Sequence, residues 1–224
     1  MYLYETHLHT SPASACAKQS VRKAMEFYKK AGYSGIFVTN HFLDGNTSIN
    51  SSLDYEQKIK TFFSDYEEGK ALSQEIGIDV FCGLEMSYKG TDFLVYGLNE
   101  DWWIANPEVM QMKKSVQLPF LMENEALVIH AHPYREAGYI DHIRLFPRCV
   151  HGVEIYNANR NDFVNGMAEA YAKAYDLIPF SGSDCHNVDA QKAYGGMAFE
   201  SPIKDEFDFI ERIKNGEGTL LRGL

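Results

Sequence analysis

The chain has 224 residues and a mass of 25.5 kDa, long enough to bury a full core without disulfide or metal staples. Its 45% apolar content, with no long charge run, excludes disorder as the main state. With 31 acidic against 21 basic residues the net charge is −10, which disfavours long nucleic acid and anionic membranes as partners, since both need clustered Lys and Arg.

Strand-like and helix-like runs alternate from one end to the other. Residues 2–9 form a strand-like run rich in Tyr and Leu. Ser20 to Ala31 then places Val21, Ala24, Met25 and Tyr28 at helical spacing. A short strand follows at 35–40, and Leu53 to Ile76 predicts a long helix whose Asp65-Tyr66-Glu67-Glu68 stretch reads as a solvated face. Strands are expected at 79–88 and 91–98. The least regular stretch, 99–125, reads as a loop plus a helix covering one face, with Trp102 and Trp103 packed or capping a pocket. Further strands are expected at 126–132, 150–157, 177–184 and 194–200, with helices over Phe163 to Tyr175 and Pro202 to Lys214. This alternation predicts a parallel sheet or barrel in a single domain over 1–224.

The four cysteines, Cys16, Cys82, Cys149 and Cys185, are scattered and form no CxxC pair, so no disulfide framework is expected. Cys82 and Cys149 read as small buried apolar residues. The opening MYLYETHLHT has no secretory character, and no run approaches about 18 apolar residues. A cytoplasmic protein with no membrane partner is the expectation.

Six of the eight histidines end predicted strands: His7 and His9, His41, His130 and His132, and His186. Glu85 and Asp184 end two such strands as well. In a (β/α) barrel these ends converge on one mouth, where loop chemistry gathers. Residues i and i+2 of a strand share a face, so His7 and His9 can reach one ion, although a single such pair serves equally well as a hydrogen-bonded structural pair. His130-Ala131-His132-Pro133 repeats the spacing, with His132 the preferred ligand of the two. Asp184 and His186 pair a hard with a borderline donor, a mixture suited to Zn, Mn or Fe. Glu85 can bridge two ions through its two oxygens. Glu5 shares a strand face with His7 and His9 and is expected to line the interior. His142 and His151 fall outside these windows.

The ordered set HLHTS (7–11), TNH (39–41), GLE (83–85), HAHP (130–133), GVEIYN (152–157) and GSDCHN (182–187) resembles the PHP (polymerase and histidinol phosphatase) family over residues 2 to about 200. The resemblance implies a distorted (β/α)7 TIM-like barrel holding two to three divalent metal ions and hydrolysing phosphate esters. It implies that His7, His9, Glu85 and Asp184 hold one metal, that Glu85 bridges to a second held also by His132, and that His41 and His186 hold a third. Glu85 and Asp184 are then the catalytic carboxylates. Two positions depart from the family pattern. Ser14-Ala15-Cys16 stands where His or Asp often follows the first motif, leaving Cys16 as a soft stand-in. Asp92 stands where a His often opens the next strand.

A cluster of this kind needs cationic side chains for the remaining phosphate oxygens. Arg135, just past HAHP, and Arg160, just past EIYN, are placed for this, though each also reads as a surface loop residue. Leaving-group protonation would fall to water or to a histidine not used by metal, such as His130. The expected function is a metal-dependent phosphoesterase acting on a small phosphorylated metabolite or nucleotide. A proofreading or non-catalytic accessory domain of a polymerase and a metal-dependent amide or lactone hydrolase are the alternatives.

Overall fold

The computed structural model describes residues 1–223. Among them, nine strands form one sheet in the order β7-β6-β5-β4-β3-β2-β1-β8-β9. In chain order the elements are β1 (Tyr2–Leu8), α1 (Val21–Lys30), β2 (Gly35–Val38), α2 (Tyr55–Ile76), β3 (Asp79–Tyr88), β4 (Thr91–Tyr96), α3 (Glu100–Ala105), α4 (Lys114–Glu123), β5 (Leu127–Ala131), β6 (Gly152–Asn157), α5 (Asp162–Tyr175), β7 (Ile178–Gly182), β8 (Gly195–Phe199), α6 (Glu206–Lys214) and β9 (Thr219–Arg222). A short 3-10 helix, Pro107–Gln111, joins α3 to α4.

The sheet curls into a nearly closed barrel. Ladders β1/β2, β2/β3, β5/β6 and β6/β7 are parallel, as the alternation predicts. Strand β4 runs antiparallel to both β3 and β5, because the Lys89-Gly90 turn is too short for a crossover. Strands β8 and β9 are also antiparallel to their neighbours. The barrel is therefore less regular than a repeating β/α unit. Its seam is closed by side chains and by strand ends. Ser181 Oγ donates to Leu221 O at 2.5 Å, and Thr6 Oγ1 donates to Ser181 O. Past the strands, His9 N donates to Cys185 O at 3.0 Å and Cys185 N to His7 O at 3.2 Å.

Strand parity sorts the side chains. Phe81 and Glu85 of β3, Leu94 and Tyr96 of β4, and Phe180 of β7 face the barrel axis. Leu84, Met86, Phe93 and Val95 face the covering helices. The axis is apolar at its base, where Phe209 of α6 lies 4.3 Å from Phe37 and 5.4 Å from Tyr96, ring centre to ring centre. Polar side chains occupy the opposite end. Residues 99–125 fold as two helices and the 3-10 turn against β3 and β4, with Trp103 fully buried against Phe42. The tryptophans thus pack, and no helix among the described residues is long and apolar enough to cross a membrane.

One surface expectation fails. Asp65 of α2 is 2% exposed and accepts from Thr10 Oγ1 at 2.7 Å and Asn40 Nδ2 at 3.1 Å. It shares the inward helix face with Phe62 and Gly69, three residues before and four after it. Glu67 and Glu68 remain exposed, as expected.

Candidate metal centre

The strand ends bring His7, His9, His41, Glu85, His132, Asp184 and His186 together at one mouth. Three overlapping groups have ligand atoms within 4.8 Å of one another: His7, Glu85 and His132; His7, His9 and Asp184; and His9, His41 and His186.

Hydrogen bonds fix which ring nitrogens face inward. His7 Nδ1 donates to Glu154 Oε1 at 2.9 Å. His9 Nδ1 lies 3.2 Å from Ser14 Oγ, which itself donates to Asn40 Oδ1 at 2.8 Å and so accepts from the imidazole. His186 Nδ1 donates to the Asp184 carbonyl at 2.9 Å. In the neutral ring each of these tautomers turns the Nε2 lone pair toward the cluster. The Nε2 atoms of His7 and His9 stand only 3.2 Å apart. Glu85 Oε1 is 3.3 Å from His7 Nε2, and Asp184 Oδ1 is 3.6 and 3.5 Å from the two rings. Four lone-pair donors crowded in this way repel unless positive charge sits among them. Nitrogen ligands about 2.05 Å from one tetrahedral ion would stand ~3.3 Å apart, the spacing seen here. The residues therefore fit a divalent metal. A further sign is His41 Nδ1, which lies 2.7 Å from Glu85 Oε2 although neither atom has a hydrogen-bond partner.

The electrostatics are those of a tightly coupled set. Burial opposes charge on Glu85, yet His41 and His7 hold its carboxyl well below the ordinary range. His7 and His9 do the same for Asp184. Burial also works against a charged His7, but Glu154, Asp184 and Glu85 raise it well above the ordinary imidazole value. Burial lowers His9, with His186 and His41 adding to the shift. Cys16 lines the same cavity as His41 and His186. Against the upward pull of burial, hydrogen bonds to those two rings bring its thiol down to about 6.

Two positions of the cluster adopt left-handed backbone, His132 with φ 25° and Asp184 with φ 54°. Such conformations cost energy and persist only where the surroundings enforce them. For His132 the reason is visible. Strand β5 ends at Ala131, and parity would send residue 132 outward along with residue 130. The left-handed turn, held by the bond from His132 N to Glu154 Oε2 at 3.0 Å, reverses the side chain into the mouth.

His130 does not join the cluster. It stacks on Phe93 at 5.0 Å and meets Tyr171 edge-on. Burial, aided by His132, pushes its pKa down to about 3, and its packing on Phe93 and Tyr171 sets it apart from the mouth. The expectation that His130 and His132 share a strand face is corrected accordingly.

The remaining assignments fall at the mouth. Asp92 of β4 lies 4.0 Å from His132 Nε2 and accepts from Ser87 Oγ at 2.7 Å. Arg135 Nη2 donates to Asp92 Oδ2 at 3.1 Å, and Arg160 Nη2 to Asp184 Oδ2 at 2.9 Å. Both arginines line a cavity of about 560 Å³ with Glu85, Asp92, His132, Asp184, His186 and Lys89. Each keeps a buried Nε without a partner. Glu5 lies inside the barrel as expected, fully buried and accepting from His7 N at 2.8 Å and Ser183 N at 3.0 Å. His142 is exposed, and His151 accepts from Val128 N away from the mouth. A second cavity of about 570 Å³, between α2 and α6, holds none of the cluster.

Sequence reasoning missed Glu154, Ser14, Asn40, Asp65 and Lys89. Glu154 carried a signal, for it alternates with the outward Val153 and Ile155 on a buried strand and so must face the axis.

The chain is similar to solved structures of this architecture. A two-domain protein from Bacteroides vulgatus, containing a predicted PHP-like metal-dependent phosphoesterase, superposes with a TM-score of 0.73 at 13% identity. The match covers 99% of this chain and 65% of that one. The fold is PHP-like. A candidate metal-dependent phosphoesterase from Bifidobacterium adolescentis gives a TM-score of 0.55 at 12% identity, over 82% of this chain and 87% of that one. An amidohydrolase from Chromobacterium violaceum, solved with bound sulfate and no metal, gives 0.56 at 12%, over 98% and 97%. No protein-family model and no curated protein matches the chain. The buried His/Glu/Asp groups at the mouth of this PHP-like fold could hold a metal ion.

Proposed function

We propose that the protein is a metal-dependent phosphoesterase acting on a small phosphorylated metabolite or nucleotide. The observation that carries the reading is the pairing of a buried imidazole–carboxylate cluster with two arginines in one cavity, each with an unpaired buried Nε–H. In this reading His7, His9, Glu85 and Asp184 hold one ion. Glu85 and His132, with Asp92 beside them, hold a second, and His41 and His186 a third. Zn, Mn and Fe are the ions suited to this donor set. Bound divalent ions would neutralise phosphate charge and supply a nucleophile from water at neutral pH.

The chain's own residues do the rest. Arg135 and Arg160 offer planar donor forks to the non-bridging oxygens, and Asp92 and Asp184 already hold those forks at the cavity wall. Lys89 adds a third cation to the same wall. Glu154 holds His7 and the His132 backbone, fixing two ligands without touching the substrate. No side chain at the mouth stands out as the acid for the leaving group, so water takes that part.

The test is phosphate release from a panel of phosphorylated metabolites with added Mn, beside Glu85→Gln. The panel holds histidinol phosphate, nucleoside monophosphates and nucleoside 3′,5′-bisphosphates. Release that is lost in the variant is expected. No release from metal-loaded protein, with turnover of an amide or lactone, would overturn the reading in favour of the second one. The resemblance to an amidohydrolase structure favours that alternative.

A further inference from the structure

We infer that α5 is a self-association surface. Two copies of this chain pair antiparallel through the outer face of the helix, about a two-fold axis that passes between residues 167 and 170. The pairing does not depend on the metal centre.

The outer face of α5 is built unlike the other exposed helix faces. Helix α2 presents Glu67 and Glu68 to solvent, and α6 presents Glu211 and Lys214, as outward faces should. Helix α5 buries Asn165, Ala168, Tyr171 and Ala172. On its opposite side Phe163, Met167, Ala170 and Ala174 are all exposed, Phe163 by 75%. At about 3.6 residues per turn these four fall within roughly 60° of arc, so they form one apolar stripe about three turns long. A Cβ on Gly166, at the edge of the stripe, would meet no atom within 4 Å, so this side of the helix is open. Single exposed apolar side chains are ordinary, but a contiguous row of them marks a contact surface.

Two features of the stripe point to a second copy as its occupant. The large residues, Phe163 and Met167, stand in its N-terminal half, and the small ones, Ala170 and Ala174, in its C-terminal half. Rotation about an axis midway between 167 and 170 sets Met167 of one copy on Ala170 of the other, and Phe163 on Ala174, so each knob meets a hollow. Charge obeys the same rotation. Asp162 and Lys173 are exposed on one flank of the stripe, and the antiparallel arrangement brings Asp162 of each copy to within about 3 Å, along the helix axis, of the level of Lys173 in the other. Within the chain Lys173 Nζ lies 3.1 Å from Glu169, whose other oxygen is 3.6 Å from Arg222, so that carboxylate keeps a cation when Lys173 turns to the second copy. A parallel pair would instead set Phe163 on Phe163 and Asp162 beside Asp162. Size and charge thus select one register, and a two-fold contact closes as a dimer.

The experiment is sedimentation velocity of the full chain from about 1 to ~500 µM at about 0.15 M salt, where the repulsion of the two net charges is screened beyond ~8 Å. One helix face from each copy buries less than the ~1,200 Å² of stable complexes, so a dissociation constant of about 10–100 µM is expected. Phe163→Glu should raise it about tenfold or more. The position is exposed and an acid suits the first helical turn, so the fold is not at risk, and circular dichroism checks it. Val116→Glu, at an exposed apolar residue of α4, should leave the dimer unchanged. Asp162→Lys and Lys173→Glu should each weaken it about threefold or more, and the two together should return it to within about twofold of wild type. Three results overturn the inference: a wild-type chain that stays at 25.5 kDa at ~500 µM, a dimer that survives Phe163→Glu, or a double charge variant no tighter than either single one. The first of these would leave the face to a partner other than this chain.

Discussion

Glu154 is buried in β6 and holds three groups at once. Its Oε1 accepts from His7 Nδ1 at 2.9 Å, while Oε2 accepts from His132 N at 3.0 Å and Asn157 Nδ2 at 2.9 Å. Glu154→Gln keeps the shape but replaces one acceptor by a donor. With the amide nitrogen toward His132, two N–H donors face it unpaired. With the nitrogen toward His7, the imidazole must move its proton to Nε2, the atom that faces the cluster. Either way a buried polar conflict of about 1–3 kcal/mol results. Removing a partner of this kind lowers metal affinity by about 10–100-fold, which corresponds to ~1.4–2.7 kcal/mol. The assay is zinc competition against a chromophoric chelator, with circular dichroism to show that the variant is folded. Folded Glu154→Gln protein that binds zinc within about twofold of wild type would refute the claim that Glu154 orients the ligands.

Four shorter predictions follow from other parts of the molecule. Asp65→Ala strands the Thr10 and Asn40 donors and should cost about 2–4 kcal/mol in urea unfolding, whereas a solvated carboxylate would cost under ~0.5. Gly195→Ala sets a methyl 2.2 Å from Gly182 O at the barrel seam and should destabilise by about 3 kcal/mol or more. Gly166→Ala, in open space on helix α5, should instead stabilise by roughly 0.5–1 kcal/mol. Burial, then Lys214, lowers the His151 pKa to about 4. The unfolded chain therefore takes up the proton first, and stability is lost as pH falls from about 6.5 towards 4. His151→Gln should flatten that acid limb relative to wild type, and identical limbs would contradict the burial argument.

Much of the architecture was legible because period-2 runs of Val, Ile, Phe and Tyr mark strands whatever their direction. All eight expected strands exist, but periodicity carries no sign for direction, so the reversal of β4 and β8 was not visible. Strand β9 has only four residues and half-exposed edges, too short for an alternation to register. The clustering of polar side chains was legible where they end strands, as at His7, His9, Glu85 and Asp184. His132 was named from its place beside Pro133, but the left-handed turn that brings it inward was not visible, nor was a carboxylate buried amid charged neighbours, as at Asp65. Glu154 lay within a motif that was read whole, yet its role depends on two residues more than twenty positions away.

Strand β1 lies inside the sheet, third from one end, flanked by β2 from the first third of the chain and β8 from the last. The contacts that fix its ligand end, such as Ser183 N to Glu5 Oε1, span 178 residues. His7 and His9 can meet Glu85 and His132 earlier, but they wait for the last of the loops at the mouth before Asp184 and His186 join them. Closing a loop of that length carries its entropic cost before any reward, so the centre belongs to the late, slow part of folding. A chain still being made, or one cut before Asp184, would lack Asp184 and His186 from the cluster and leave β1 as an unfinished edge without β8.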